Sequence, residues 1–192
     1  MMKAYKFRLY PNRKQTGILD ATLNTCRELY NAMLQQRIYA YEMGRKVTRY
    51  SQQNEIPEVK KGFPEFRGIY SQVLQDVAMR LDNTYNNFYR RVEEKKNGKN
   101  IKAGFPRFKS RKRYNSITYS QSGFKVLDNG HIQASKIGEI RMFMHRPVDG
   151  NIKTLTSKPF VIIFSLSIEK LFSIDFLLLP VSDVITANQS PA

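Results

Sequence analysis

Tyr5, Phe7 and Leu9 alternate with Lys6, Arg8 and Tyr10. That two-residue period predicts a strand with one apolar and one basic face. Pro11 ends it, and Asn12 with Gln15 has the spacing of a helix cap and its reciprocal partner. Leu19, Leu23, Cys26, Tyr30, Leu34, Ile38 and Tyr41 then recur every three or four residues. They predict a helix over about 13–43 with one apolar stripe, stopped by Gly44. The stretch 48–65 is polar and carries Pro57, Gly62 and Pro64, so turns and one short helix are expected there. A second stripe, Tyr70, Leu74, Val77, Leu81, Tyr85, Phe88 and Val92, predicts a helix over about 66–96 that ends before Gly98. Two such helices can pack antiparallel and bury their stripes together.

Past residue 115 the period shortens. Residues 117–120, 123–126, 131–134 and 137–144 read as short strands separated by turn residues, and Asn129-Gly130 is a strong hairpin cue. The chain is therefore expected to be α+β, a small β-barrel formed by the first strand and these later ones, interrupted by a lobe of two long helices. Small barrels with basic faces commonly carry oligonucleotides.

Charge sharpens this picture. Among 192 residues, 32 Lys plus Arg face 16 Asp plus Glu, a formal net charge of +16. A field of that sign attracts polyanions, nucleic acid first among them. In 151–192, Lys153, Lys158 and Lys170 are cancelled by Glu169, Asp175 and Asp183, so the excess lies in 1–150. It is densest from Lys95 to Arg113, with nine basic residues and no acidic one. Phe105, Pro106, Phe108 and Tyr114 are interleaved with it. A solvated basic loop has no use for Phe105 and Phe108. Cations that neutralise phosphates beside rings that stack on bases suit a nucleic-acid strand. The candidate contacts are Lys6, Arg8, Lys102, Phe105, Arg107, Phe108, Lys109, Arg111, Lys112 and Arg113. Ser71, Gln72 and Gln75, off the apolar stripe of the second helix, join them as polar groups able to read base edges.

Other chemistry is excluded or faint. Cys26 is the single cysteine, so neither an internal disulfide nor a cysteine-rich zinc site is expected. It lies on the apolar stripe as a small core residue. His131 and His145 have no ligand spacing around them. The first residues lack the apolar run of a signal peptide. The apolar stretch 160–179 is broken by Glu169, Lys170 and Asp175, each costing about 2.5–3.5 kcal/mol near a bilayer centre, which rejects a membrane span. A cytoplasmic setting fits.

KFRLYPNRKQ, then CRELYN, then SQVLQDVAMRLDNTYNNFYRRV, then GFPRFKSRKRYNSITYSQ, then short strands ending GNIKTLT, resembles in order the TnpB (OrfB) proteins of transposons, over about residues 2–156. The resemblance implies an N-terminal part, often catalogued as helix-turn-helix, built as a β-barrel wedge (1–12 and 100–156) around a helical recognition lobe (13–99). It implies DNA and a transposon-derived guide RNA as partners, with recognition of a target-adjacent DNA motif around that lobe. It also implies a following RuvC-like nuclease with three metal-holding carboxylates, magnesium, and a four-cysteine zinc ribbon.

Here the resemblance fades. FVIIFSLSIEK is similar to the family strand that leads into the nuclease, and Asp175 stands where the first catalytic carboxylate would be. Phe176 and Leu177 follow it, with no Gly. Residues 157–192 are thus expected to be a degenerate start of the nuclease or a disordered tail, dispensable for binding, with no cofactor held by this chain. Two-metal hydrolysis needs several converging carboxylates, so the expected function is binding without catalysis. Two alternatives stay open: an RNA-guided DNA endonuclease completed by a second chain, and a generic basic RNA-binding module.

Overall fold

The computed structural model describes residues 2–148, 150–158 and 160–167. The first strand, β1 (Met2–Tyr10), leads into three helices, α1 (Arg13–Glu42), α2 (Arg49–Gly62) and α3 (Ser71–Lys96). Six strands follow: β2 (Ile117–Tyr119), β3 (Phe124–Val126), β4 (His131–Ala134), β5 (Gly138–Phe143), β6 (Asn151–Lys158) and β7 (Val161–Ser167). All pairings are antiparallel, in the order β2-β6-β7-β1-β5-β4-β3. The two outer strands approach each other. The Tyr119 ring meets Phe124 edge-on at 6.4 Å, and its hydroxyl donates to the Ser135 carbonyl at 2.9 Å. The sheet is nearly closed, like a barrel.

The alternation in β1 decides its register. Tyr5, Phe7 and Leu9 are buried while Lys6, Arg8 and Tyr10 are exposed. Tyr5 faces Phe164 and Phe7 faces Ile162 across β7, and Leu9 faces Met142 across β5. A one-residue slip would turn all of these outward, so the pairing is strongly specified. The barrel interior is completed by Ile132, Ile140 and Leu155, all buried.

The family resemblance has β7 leading away into a nuclease remnant. Instead it lies between β1 and β6, and the sheet extends beyond Thr156 to Ser167. Its alternation, Ile162 and Phe164 buried with Val161, Ile163 and Ser165 less so, is that of a barrel strand. The apolar run hides this because β7 carries uncharged residues on both faces.

The capping box on α1 is present: the Gln15 amide donates to Asn12 Oδ1 at 2.8 Å, and Gln15 Oε1 accepts from the Asn12 amide at 3.0 Å. Gln15 Nε2 also donates to the Glu139 carbonyl at 2.6 Å, tying the helix start to β5. The stripe is buried as far as Leu34, but Tyr41 is 84 % exposed, so the end of the helix outruns its partners.

The polar stretch after Gly44 forms a regular 14-residue helix, α2, that includes Pro57. Thr48 and Ser51 cap it reciprocally. Gln52 is fully buried on it, with every bond made inside the lobe: Nε2 donates to the Met33 carbonyl and Gln36 Oε1, and Oε1 accepts from Arg37 Nε. α3 begins at Ser71, later than expected, because a short 3-10 turn occupies Pro64–Phe66.

The expected antiparallel pairing of the long helices is not found. Arg37 and Gln36 meet Gln52 and Glu55, so α2 runs back along α1. Gln53 reaches Gln75 while Lys60 reaches Ser71, so α3 reverses again. α1 and α3 therefore run the same way, with Cys26 near Asp76 and Arg80, and Arg37 on Asp82 and Tyr85. The intervening helix, expected to be short among turns, is long enough at Arg49–Gly62 to restore direction.

Candidate nucleic-acid interface

Residues 97–110 leave α3 without regular structure and return to β2 through a 3-10 turn at Arg111–Arg113. A basic stretch of this kind needs anchors, and Asn31 of α1 supplies the main one. Its Nδ2 donates to the Lys109 carbonyl at 3.1 Å and its Oδ1 accepts from the Lys109 amide at 2.8 Å. Beside it the Lys109 ammonium lies 5.6 Å from the Tyr30 ring centre. Pro106 and Tyr114 are buried, and Tyr114 packs against Tyr30 under the Arg80 guanidinium.

Lys102, Arg107, Arg111, Lys112 and Arg113 are exposed, and Lys109 is half-buried. Among the described residues none of the six is in an ion pair. Their charge is uncompensated locally and open to an anion. Phe105 is half exposed, with its ring edge-on to Tyr85 at 5.8 Å and Phe88 at 5.4 Å. It is part anchor and part surface. Phe108 is equally exposed. The Asn31 anchor fixes the backbone at Lys109 with the neighbouring cations and rings on the outside of the helices, and fixing backbone beforehand lowers the ordering cost of binding a strand.

The remaining candidates sit elsewhere. Lys6 and Arg8 are on the outer face of β1, with Arg8 opposite Phe143 and Val161. Ser71, Gln72 and Gln75 occupy the start of α3. Ser71 Oγ accepts from Lys60 Nζ at 2.8 Å. Gln72 Oε1 accepts from the amides of Gln121 and Ser122, so it already ties α3 to the loop after β2. The Gln75 side chain is exposed. The candidates thus form three groups carried by different elements.

Several residues that matter here carry no sequence signal. Asn31 is a helix surface position in any periodicity plot. Lys60 of α2 feels the like charge of Lys136 in the β4–β5 turn, and burial followed by that charge lowers its pKa below the usual lysine value. Arg80 is the joint between lobe and barrel: Nη1 donates to the Ser116 carbonyl and hydroxyl, Nη2 to Thr118 Oγ1 at 2.7 Å, and Nε to Asp76. Asp76 is 5 % exposed, and burial raises its pKa despite the opposing pull of Arg80. Cys26 is fully buried, and burial pushes its thiol up to about 12, so it is a core group and not a nucleophile. His145 stacks on Phe143, and His131 bonds the Asn129 carbonyl.

Among the described residues no three His, Cys, Asp or Glu side chains group as metal ligands, and no helix is long and apolar enough to cross a membrane. Asp175 and Asp183 lie outside the described residues.

Residues 1–46, which fold as β1, α1 and the turn after it, match the helix-turn-helix domain family of OrfB proteins. The chain is similar to a protein of Escherichia coli K12 named "Putative RNA-guided DNA endonuclease InsQ", at 28 % identity over 158 residues. That alignment covers 81 % of this chain and 37 % of the relative. It is also similar to a "Putative RNA-guided DNA endonuclease" of Streptomyces pristinaespiralis, at 29 % identity over 143 residues, 71 % of this chain and 32 % of the relative. The chain spans about a third of the length of these curated relatives. The ordered motifs, the matched N-terminal domain and these relatives agree in their likeness to the TnpB (OrfB) proteins.

Proposed function

We propose that this chain is the nucleic-acid-gripping front part of a TnpB-type, RNA-guided system, holding guide RNA and DNA without cutting them. The barrel is its wedge and α1–α3 its recognition lobe. The observation that carries the reading is the segment 102–113: exposed, unpaired cations interleaved with half-exposed Phe105 and Phe108, fixed to α1 by both bonds of Asn31. Cations at the surface neutralise phosphates and release counterions, and the rings offer stacking faces. The relatives' names, which speak of RNA-guided DNA endonucleases, support the choice of partners.

Binding by this mechanism uses fixed side-chain charge and needs neither magnesium nor zinc. The experiment is a filter-binding series with single-stranded RNA, from low to physiological salt, with and without EDTA. Affinity is expected to fall steeply with salt and to be indifferent to EDTA. In a variant with Arg107, Lys109, Arg111, Lys112 and Arg113 all changed to Gln, the slope of log K against log salt drops by roughly 0.7–0.9 for each phosphate that is no longer neutralised. A slope unchanged in that variant would refute the assignment.

A further inference from the structure

A second surface with the same chemistry lies on the barrel, away from the anchored segment. Lys6, Arg8 and Tyr10 project outward from β1, and Glu139, Arg141 and Phe143 project outward from β5. The register sets Arg8 opposite Phe143 and Tyr10 opposite Arg141. A cation therefore faces an aromatic across the two strands at both positions, and each aromatic follows a cation along its own strand. Tyr10 is 47 % exposed and Phe143 60 % exposed, although both belong to central strands of the sheet. As diagonal cross-strand neighbours they stand about 7–8 Å apart. The Arg8 guanidinium lies 5.3 Å from the Tyr10 ring centre, and His145 stacks beside Phe143 at 6.3 Å, so each ring is steadied on one side. Among the described residues Lys6, Arg8 and Arg141 are in no ion pair. The one carboxylate of the group, Glu139, is engaged by the Asn129 amide.

We infer that the outer face of β1 and β5 is a stacking platform for single-stranded nucleic acid, with Tyr10 and Phe143 taking two bases and Lys6, Arg8 and Arg141 the flanking phosphates. The inference deepens the proposed function and rests on it for the class of partner. The charge of the face selects a polyanion over an apolar protein segment. The alternation of ring and cation selects an unpaired strand, because a duplex offers phosphates outside and no free base faces.

The test uses the full 192-residue chain and a uridine dodecamer RNA, unlabelled for affinity and carrying 5-iodouracil for photocrosslinking. Tyr10→Ala with Phe143→Ala is expected to lower affinity about 5-fold or more per ring while the salt slope stays at the wild-type value. Tyr10→Leu with Phe143→Leu keeps apolar bulk on the strands and is expected to lose the same affinity with an unchanged melting temperature. Arg8→Gln with Arg141→Gln instead lowers the salt slope. Crosslinks are expected at Tyr10 or Phe143. Wild-type affinity in the leucine variant, with crosslinks only in 102–113, overturns the platform and leaves the proposed function standing. If neither the leucine variant nor the five-charge variant loses affinity, both readings fall. Capture of an apolar peptide on this face, with no change in RNA affinity, would also overturn it.

Discussion

Arg80 shows how much of this molecule rests on one side chain. Its guanidinium is the donor set that joins α3 to β2, and Asp76 is the buried charge that faces it. Arg80→Met would leave that carboxylate in apolar surroundings, which costs about 3 kcal/mol or more at neutral pH. The pH dependence has a definite sign. Asp76 has a raised pKa in the fold, so its proton is bound more tightly in the folded state. Its contribution to stability is fully present below the unfolded carboxylate value and is lost as pH rises through the folded one. Asp76→Asn cannot titrate. Wild-type stability relative to Asp76→Asn should therefore rise as pH falls from 7 toward 4, and the cost of Arg80→Met should shrink over the same range. Urea melts of the three proteins at several pH values decide this. A wild type that loses ground to Asp76→Asn on acidification would mean that Arg80 outweighs burial.

At the scale of elements, β7 has the largest consequence. It supplies Ile162 and Phe164 to the barrel interior and pairs β1 along most of its length. A chain ending at Thr156 loses both buried side chains, each worth about 1.5–3 kcal/mol of burial, together with a whole ladder of hydrogen bonds. It is expected to be unfolded or aggregated, while a chain ending at Ser167 keeps its cooperative melt. Circular dichroism of the two truncations checks this, and a well-folded chain ending at Thr156 would show that β7 is dispensable. β1, α1, α3 and the β3–β4 hairpin are legible in the sequence because each has one wet face and one dry face. α2 is obscured because its buried residues are few and one is Gln52, whose burial is satisfied by bonds that only the folded lobe provides. β7 is obscured for the opposite reason, carrying no charge on either face to mark the wet one. The candidate cations are legible as a run of charge, but the Asn31 anchor that orders them is a long-range interaction with no local pattern.

For the whole molecule the remaining question is whether gripping and cutting go together. RuvC-type hydrolysis places two metal ions on either side of a phosphate, which requires carboxylates from separate segments. The resemblance sets Asp175 against the first such carboxylate, and one carboxylate can touch one ion without placing a pair. Cleavage assays with the purified chain, a guide RNA of the kind the resemblance implies, and magnesium are expected to give binding without products. The family resemblance makes Asp175→Ala the informative control. Metal-dependent cleavage by the wild type that vanishes in Asp175→Ala would show that the chain takes part in a nuclease, with further carboxylates brought by a second chain. Mixing with a separately expressed C-terminal fragment of a relative would then raise the rate in proportion to complex formed. Cleavage that survives Asp175→Ala would point to a contaminating nuclease.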